Sequence, residues 1–246
     1  MIDPTTVRAV LLDIEGTTTP ISFVYDVLFP YAERNVELYL RAHFNEDGLR
    51  TDIETLKAQR NADENDGMGV PPWSESSEQE GINSVTDYVK WLISRDSKVG
   101  ALKALQGKIW EEGYATGQLI GQIFDDVPHA LRRWRAHNKL TYIYSSGSVL
   151  AQKLLFSHSN HGDLTAFLDG FFDTSVGAKS DPRSYRRIAE SLGLDTGTVL
   201  FVSDALKELD CAESAGMQTM LSIRPGNPPV NTAGRAMIRS FDELPF

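Results

Sequence analysis

Three short apolar runs punctuate the chain, and each stops on a polar residue. They are Ala9-Val10-Leu11-Leu12 before Asp13, Tyr142-Ile143-Tyr144 before Ser145, and Val199-Leu200-Phe201-Val202 before Ser203-Asp204. Unbroken apolar runs of this length predict strands buried on both faces, the usual state of strands in a parallel sheet. Helical periodicity lies between and after them. From Pro182 to Leu192 the residues Tyr185, Ile188, Ala189 and Leu192 recur at i, i+3, i+4 and i+7, with Asp181 suited to the N-cap, Pro182 to the first helical position and Gly193 to the stop. Strands alternating with helices predict an α/β fold, an open, doubly wound parallel sheet whose ligands bind beyond the carboxyl ends of its strands. Asp13, Ser145 and Asp204 then meet at one edge, provided the three strands are neighbours.

The stretch from about Ser22 to Gly121 follows another rule. Helical patterning in Tyr31 to Phe44 and in Val85 to Trp110, with no convincing strand, predicts a helical insertion. Residues 1–21 and 122–246 are therefore expected to form the core, and 22–121 an inserted helical cap. Inside the insertion, Asn61 to Glu80 is rich in Gly, Pro, Ser, Asp and Glu and predicts a surface loop. Gly67 and Gly69 in that loop neither follow a strand nor open a helix, so they do not make a dinucleotide fingerprint. Trp73 beside them is expected to anchor the loop.

Composition narrows the partners. A chain of 246 residues has room for a core domain carrying a second, smaller one. Its formal net charge of −10 argues against a general nucleic-acid surface, which needs a basic stripe. A small anionic substrate remains open if a metal ion and one or two lysines make a local positive pocket. Cys211 is the only cysteine, which excludes an intramolecular disulfide framework and a Cys-rich zinc site. Met1 to Thr6 lack the features of a signal peptide, and no apolar run approaches membrane-spanning length. A cytoplasmic protein without a membrane partner is expected.

Candidate chemistry gathers at the strand ends. Asp13-Ile14-Glu15-Gly16-Thr17 holds two carboxylates two residues apart where the chain leaves the first strand. A carboxylate can attack phosphorus to form an aspartyl-phosphate, while a second protonates the leaving oxygen and then deprotonates water. Two solvated or capping acids would give the same pattern. Ser145-Ser146-Gly147-Ser148 joins a strand to the helical run Val149 to Phe156, so its hydroxyls and backbone N–H groups offer an anion site at a helix start; a plain serine cap reads alike. Lys179, just before the Pro182 helix, can hold a phosphate and the nucleophile's charge together. Ser203-Asp204, with Glu208 four residues beyond Asp204, adds acids at the third strand end, and Asp13 with Asp204 offers hard oxygen ligands for Mg2+. An acidic helix start stabilised by the helix dipole is the structural alternative. His158 and His161 stand three apart with no third ligand near them in sequence.

Taken in this order, each at a strand end, the residues resemble the haloacid dehalogenase superfamily. That resemblance implies Asp13 as nucleophile, Glu15 as acid/base, the serine as phosphate binder, Lys179 as neutralising cation and Asp204 as Mg2+ ligand. The superfamily usually has aspartate where Glu15 stands. The longer side chain, with DIEGTTTPISFVYDVLFPYA from Asp13 to Ala32, YIYSSGSVLAQKLLF from Tyr142 to Phe156 and GAKSDPRSY from Gly177 to Tyr185, resembles the enolase-phosphatase E1 family of methionine salvage. This closer resemblance implies action on 2,3-diketo-5-methylthiopentyl-1-phosphate, which is enolised and then dephosphorylated to an acireductone. It implies metal binding by Asp13, Glu15 and Asp204, the Glu15 contact being through its backbone carbonyl, and substrate contacts from Ser145, Ser146 and Lys179, with Gly147 in the same loop. Glu208, beside Ser203, would orient the metal site without touching the ion, and a monomer is expected.

Three rival readings make different demands. A metal-free dehalogenase has no use for Glu15 and Asp204 together. A sugar-phosphate or phosphoglycolate phosphatase shares all the phosphate-transfer residues and differs only around Glu15 and the insertion. A non-catalytic scaffold would be expected to have lost at least one reacting residue, and every one is present.

Overall fold

A computed structural model describes residues 3–232 and 234–246, so Met1 and Ile2 of the opening segment lie outside the described residues. The three apolar runs form strands β1 (Ala9–Leu12), β2 (Leu140–Tyr144) and β4 (Val199–Ser203), and all of β1 and β4 is buried. Short strands β3 (Gly170–Phe172), β5 (Gln218–Ser222) and β6 (Met237–Ile238) extend the sheet to six, in the order β3-β2-β1-β4-β5-β6. Every pairing is parallel. Leu12 is in register with Ile143 on one side and Val202 on the other, so the residues that follow β1, β2 and β4 emerge together. The chain runs outward from β1 through β2 to β3 and then crosses back to β4, which puts the reversal of strand order beside β1, where open α/β sheets bind ligands.

Helices flank this sheet. They are α5 (Asp126–Ala136), α6 (Val149–Ser157), α7 (Pro182–Ser191) and α8 (Leu206–Ser214), following the four helices of the insertion. Successive strand residues point to opposite faces. Ala9 and Leu11 of β1 join Val199 and Phe201 of β4, Tyr185 and Ile188 of α7, and Leu209 and Ala212 of α8 in one buried cluster. Helix α7 starts as its sequence predicts: the Asp181 side chain accepts from the Arg183 N–H, Pro182 occupies the first turn, and Gly193 follows with φ of 64°.

Internal contacts divide the chain into two units, residues 1–24 with 120–246, and residues 25–119, within three residues of the bounds expected from sequence. The second unit is all helix: α1 (Phe29–His43), α2 (Asp47–Asn65), α3 (Glu78–Ser94) and α4 (Gly100–Ala115). A π-helical stretch, Phe23–Leu28, leads into α1. Helix α1 packs on α3 and α4, and α2 packs on α4 and α3.

Two expectations need correction. The pattern from Val85 to Trp110 is two helices, broken between Ser94 and Gly100 where Asp96 takes a φ of 49°. The loop starting at Asn61 is shorter than expected, because α2 runs to Asn65. Helix α2 escaped notice because its buried stripe, Leu49, Ile53, Leu56, Arg60 and Asp63, keeps helical spacing but spends two positions on charged residues. Both are satisfied inside the unit. Arg60 donates to the Pro71 carbonyl and pairs with Glu64, and Asp63 accepts from the Tyr88 hydroxyl at 2.6 Å. Trp73 meets Tyr88 edge to face and donates to Glu75, which anchors the loop as expected.

Candidate active site

The turn after β1 is wound tightly around one carbonyl. The N–H groups of Thr17, Thr18 and Thr19 all donate to the Ile14 oxygen at 3.0–3.1 Å, and Gly16 donates to the Thr19 carbonyl. Gly16 has a φ of 67°, and a methyl group at that position would collide with the Asp204 carboxylate. Only glycine permits both the left-handed backbone and the close approach. Asp204, three strands further along the chain, thereby lies against the backbone of the turn that carries Asp13 and Glu15.

Lys179 is the cation of the site. Its ammonium, 8% exposed as a residue, stands 2.5 Å from Asp13 Oδ1 and 2.6 Å from Glu208 Oε2. The rings of Tyr144 and Phe201 lie 5.7 and 5.8 Å from it. Its loop is fixed from below, since the Tyr185 hydroxyl donates to the Lys179 carbonyl, the Tyr144 hydroxyl to that of Gly177 and the Ser184 hydroxyl to that of Ala178. Burial opposes charge on this lysine, yet Asp13 and Glu208 override it and raise its pKa, so it is a fixed ammonium. The Ser203 hydroxyl, fully buried, reaches both Glu208 at 2.9 Å and Asp13 Oδ2 at 3.4 Å.

The negative charge exceeds what one lysine balances. Burial first, then Asp13 and Glu208, push Asp204 up to about 7, and burial and Asp13 also raise Glu208. Carboxylates crowded in this way fit a divalent cation, which would favour their charged forms. Among the described residues no three His, Cys, Asp or Glu side chains converge as a metal cage. Two carboxylates with further oxygen donors are instead the kind of set that suits a hard divalent cation.

The serine loop lies at the end of β2. Ser145 donates its N–H to Phe172 of β3, and its hydroxyl accepts from the Gly147 N–H at 3.1 Å. Ser148, not Ser145, caps α6, accepting from Ala151. Ser145, Ser146 and Gly147 therefore remain ahead of the cap in the position expected of an anion loop. Gln152, 1% exposed, ties this loop down by donating to the carbonyls of both Gly147 and Phe172 at 2.8 Å.

The structure thus brings Asp13, Lys179, Ser203, Asp204 and Glu208 into one cluster and sets the Ser145 loop at the adjoining strand end. The histidine pair is separate: His161 bonds Asp125 and the Ile123 carbonyl, and His158 bonds Ser157. Sequence reasoning missed Gln152 and the segment Ser222 to Asn227, which touches the Asp13 turn. A polar group closing the apolar pair Met220-Leu221 was the available signal, too short to stand out.

Comparison with known proteins places this geometry. The model of haloacid dehalogenase-like hydrolases matches residues 7–216. An enolase-phosphatase E1 of Synechococcus elongatus is 46% identical over 244 residues, covering 98% of this chain and 99% of that protein. The chain belongs to the enolase-phosphatase E1 family. The family member of Danio rerio is 43% identical over 249 residues, covering 98% of this chain and 95% of its own. A Vitis vinifera relative, named as a probable bifunctional methylthioribulose-1-phosphate dehydratase/enolase-phosphatase E1, is 46% identical, and the chain spans only 47% of its length. Among solved structures, the UTR4 protein of Saccharomyces cerevisiae superposes with a TM-score of 0.79 at 31% identity, covering 96% of this chain and 99% of that one. The chain thus has the parallel α/β fold of the haloacid dehalogenase-like hydrolases. No helix among the described residues is long and apolar enough to cross a membrane.

Proposed function

We propose that the chain enolises 2,3-diketo-5-methylthiopentyl-1-phosphate and hydrolyses its phosphate ester to release an acireductone and inorganic phosphate, with Mg2+ as cofactor. The observation that carries this reading is the Asp13–Lys179–Glu208 cluster at the end of β1, with Glu15 on the same turn. Relatives near 45% identity across their full length support the substrate.

Asp13 is the nucleophile. Its carboxylate oxygen forms a bond to phosphorus as the ester P–O bond breaks, and Glu15 gives the leaving oxygen its proton. Glu15 then takes a proton from water as the water oxygen attacks the aspartyl-phosphate, which frees Asp13 and phosphate. Lys179 holds the attacking oxygen and offsets charge on the transferring group, while Ser145, Ser146 and Gly147 bind the phosphate oxygens. When bound, Mg2+ supplies electrostatic stabilisation of the phosphoryl charge; Asp13, Asp204 and the Glu15 carbonyl would hold it. Ser203 and Glu208 keep Lys179 and Asp13 in register. The helical unit acts as a cap that excludes water and carries specificity, and the protein works as a cytoplasmic monomer.

The test is anaerobic incubation with the diketo phosphate in Mg2+ or in EDTA, following phosphate and the ultraviolet absorbance of the acireductone. Both products are expected only with Mg2+, and Asp13→Asn should yield neither. Phosphate without acireductone would leave a phosphatase and remove the enolase assignment.

A further inference from the structure

The carbonyls of Gly16 and Thr17 accept hydrogen bonds from outside the turn that follows β1. Among the described residues, their donors come from one six-residue segment at the end of β5. The Asn227 side-chain amide donates to the Gly16 oxygen at 2.9 Å and the Ser222 hydroxyl to the same oxygen at 3.2 Å, while Arg224 Nε donates to the Thr17 oxygen at 2.9 Å. Gly16 thus has both acceptor positions occupied.

The segment is itself firmly seated. Arg224 pairs with Asp126 at 2.8 Å, donates to the Arg239 carbonyl and stacks over Phe124 and Phe241. Asn227 is turned back by its own N–H to the Arg224 carbonyl. Its amide orientation is set by chemistry, because an oxygen facing the Gly16 carbonyl would repel it. The Asn227 Oδ1 and the Asp204 carboxylate both crowd the space that a Cβ on Gly16 would take, and Asp204, Ser222, Asn227 and Pro228 line a common cavity of about 180 Å³. Asp204 is therefore enclosed between the turn after β1 and the segment after β5.

We infer that Asn227 and Ser222 are positioning residues: by holding the Gly16 carbonyl from two sides they fix the Gly16–Thr17 peptide and, through the shared Cα, the neighbouring Glu15–Gly16 peptide relative to Asp204. The Gly16 N–H, on the other side of the same Cα, donates to the Thr19 carbonyl, so both peptides that flank Gly16 are anchored, and the Glu15 carbonyl belongs to the first of them. Release of the Gly16 carbonyl lets the chain turn about the Gly16 Cα, which shifts the Glu15 carbonyl and the root of its side chain. Proton transfer and metal binding both depend on sub-ångström placement, so both respond to the clamp. The inference rests on the proposed roles of Glu15 and Asp204.

The experiment compares Asn227→Ala, Asn227→Asp, Ser222→Ala and the double alanine variant with the unaltered protein. It reads kcat and KM for the diketo phosphate, Mg2+ affinity by calorimetry without substrate, and the thermal midpoint. Each single change leaves Gly16 one donor and is expected to lower kcat about 5–10-fold, with KM within about twofold and Mg2+ affinity about fivefold weaker. The double variant leaves the carbonyl bare and should fall by more than the product of the singles, roughly 100-fold or more. Asn227→Asp, equal in shape but without the donor, should be no better than alanine. Lowered thermal midpoints with unchanged kcat and Mg2+ affinity would overturn the inference, leaving the segment a purely structural strut. An unaltered protein that binds Mg2+ yet ignores the diketo phosphate would instead remove the proposed function, and the calorimetric comparison would still decide the clamp. Should the double variant fail to fold, Asn227→Asp carries the test.

Discussion

The Lys179 ammonium stands 2.5 Å from Asp13 Oδ1 across 166 residues of chain, with both side chains almost wholly buried. Glu208 closes the group from the other side at 2.6 Å. One cation thus bridges two carboxylates.

Replacing Lys179 by Met keeps the bulk and removes the charge. Phosphate release is expected to fall by roughly 10²–10³ in kcat, the loss seen when one preorganised electrostatic contact is removed. Two buried carboxylates would then face each other unpaired, so the urea midpoint should fall below that of the unaltered protein at neutral pH. Steady-state kinetics and urea titration check the two parts separately.

Asp126 joins the C-terminal segment to α5. Its Oδ2 accepts from Arg224, from the Ser240 hydroxyl and from the Phe241 N–H, which opens the final 3₁₀ turn Phe241–Glu243. Asp126→Ala strands the Arg224 guanidinium at 5% exposure, and a loss of about 3–5 kcal/mol is expected from an uncompensated buried charge. Denaturant unfolding measures it, and a loss under about 1 kcal/mol would show that water reaches Arg224 easily.

Within the helical unit, the fully buried Tyr88 hydroxyl donates to Asp63, which also accepts from Gln59. Tyr88→Phe should cost about 1–3 kcal/mol, because Asp63 keeps one donor and loses the other. The ring contacts with Trp73 and Trp91 survive the change, so tryptophan fluorescence of the folded protein should stay as it was.

His43 gives the same unit a pH response. The hydrogen bond to Glu46 raises its pKa above the usual 6.5, against a smaller opposing effect of burial, with Glu112 adding a weaker contact at 3.4 Å. A raised folded value means the stabilisation is complete below 6.5 and fades as pH climbs through the folded pKa. The stability gap between the unaltered protein and His43→Gln should therefore be wider at about pH 6 than at about pH 8. A gap independent of pH would mean that His43 carries no charge in the fold.

The strand ends were legible because a strand buried on both faces must be apolar throughout. A polar residue at its end then stands out, as Asp13, Ser145 and Asp204 do. Helix α7 was legible for local reasons too, since Asp181, Pro182 and Gly193 are start and stop signals that act within one turn. Helix α2 was hidden because Arg60 and Asp63 sit inside, and a buried charge looks like a surface residue until its partner, such as Tyr88 for Asp63, is seen.

By itself, then, the order of apolar runs and their terminal acids determined the parallel α/β sheet, the edge at which the chemistry gathers and the kinds of group found there. Those features follow from local pattern and backbone geometry. Tertiary structure alone decided that Lys179 pairs with Asp13 and Glu208 at once, that Gln152 ties down the serine loop, and that Ser222 and Asn227 meet on one carbonyl of Gly16. The Lys179 pairings, the Gln152 bond to Phe172 and the two donors on Gly16 join separate segments of the chain, through contacts that exist only once neighbouring strands have fixed their register.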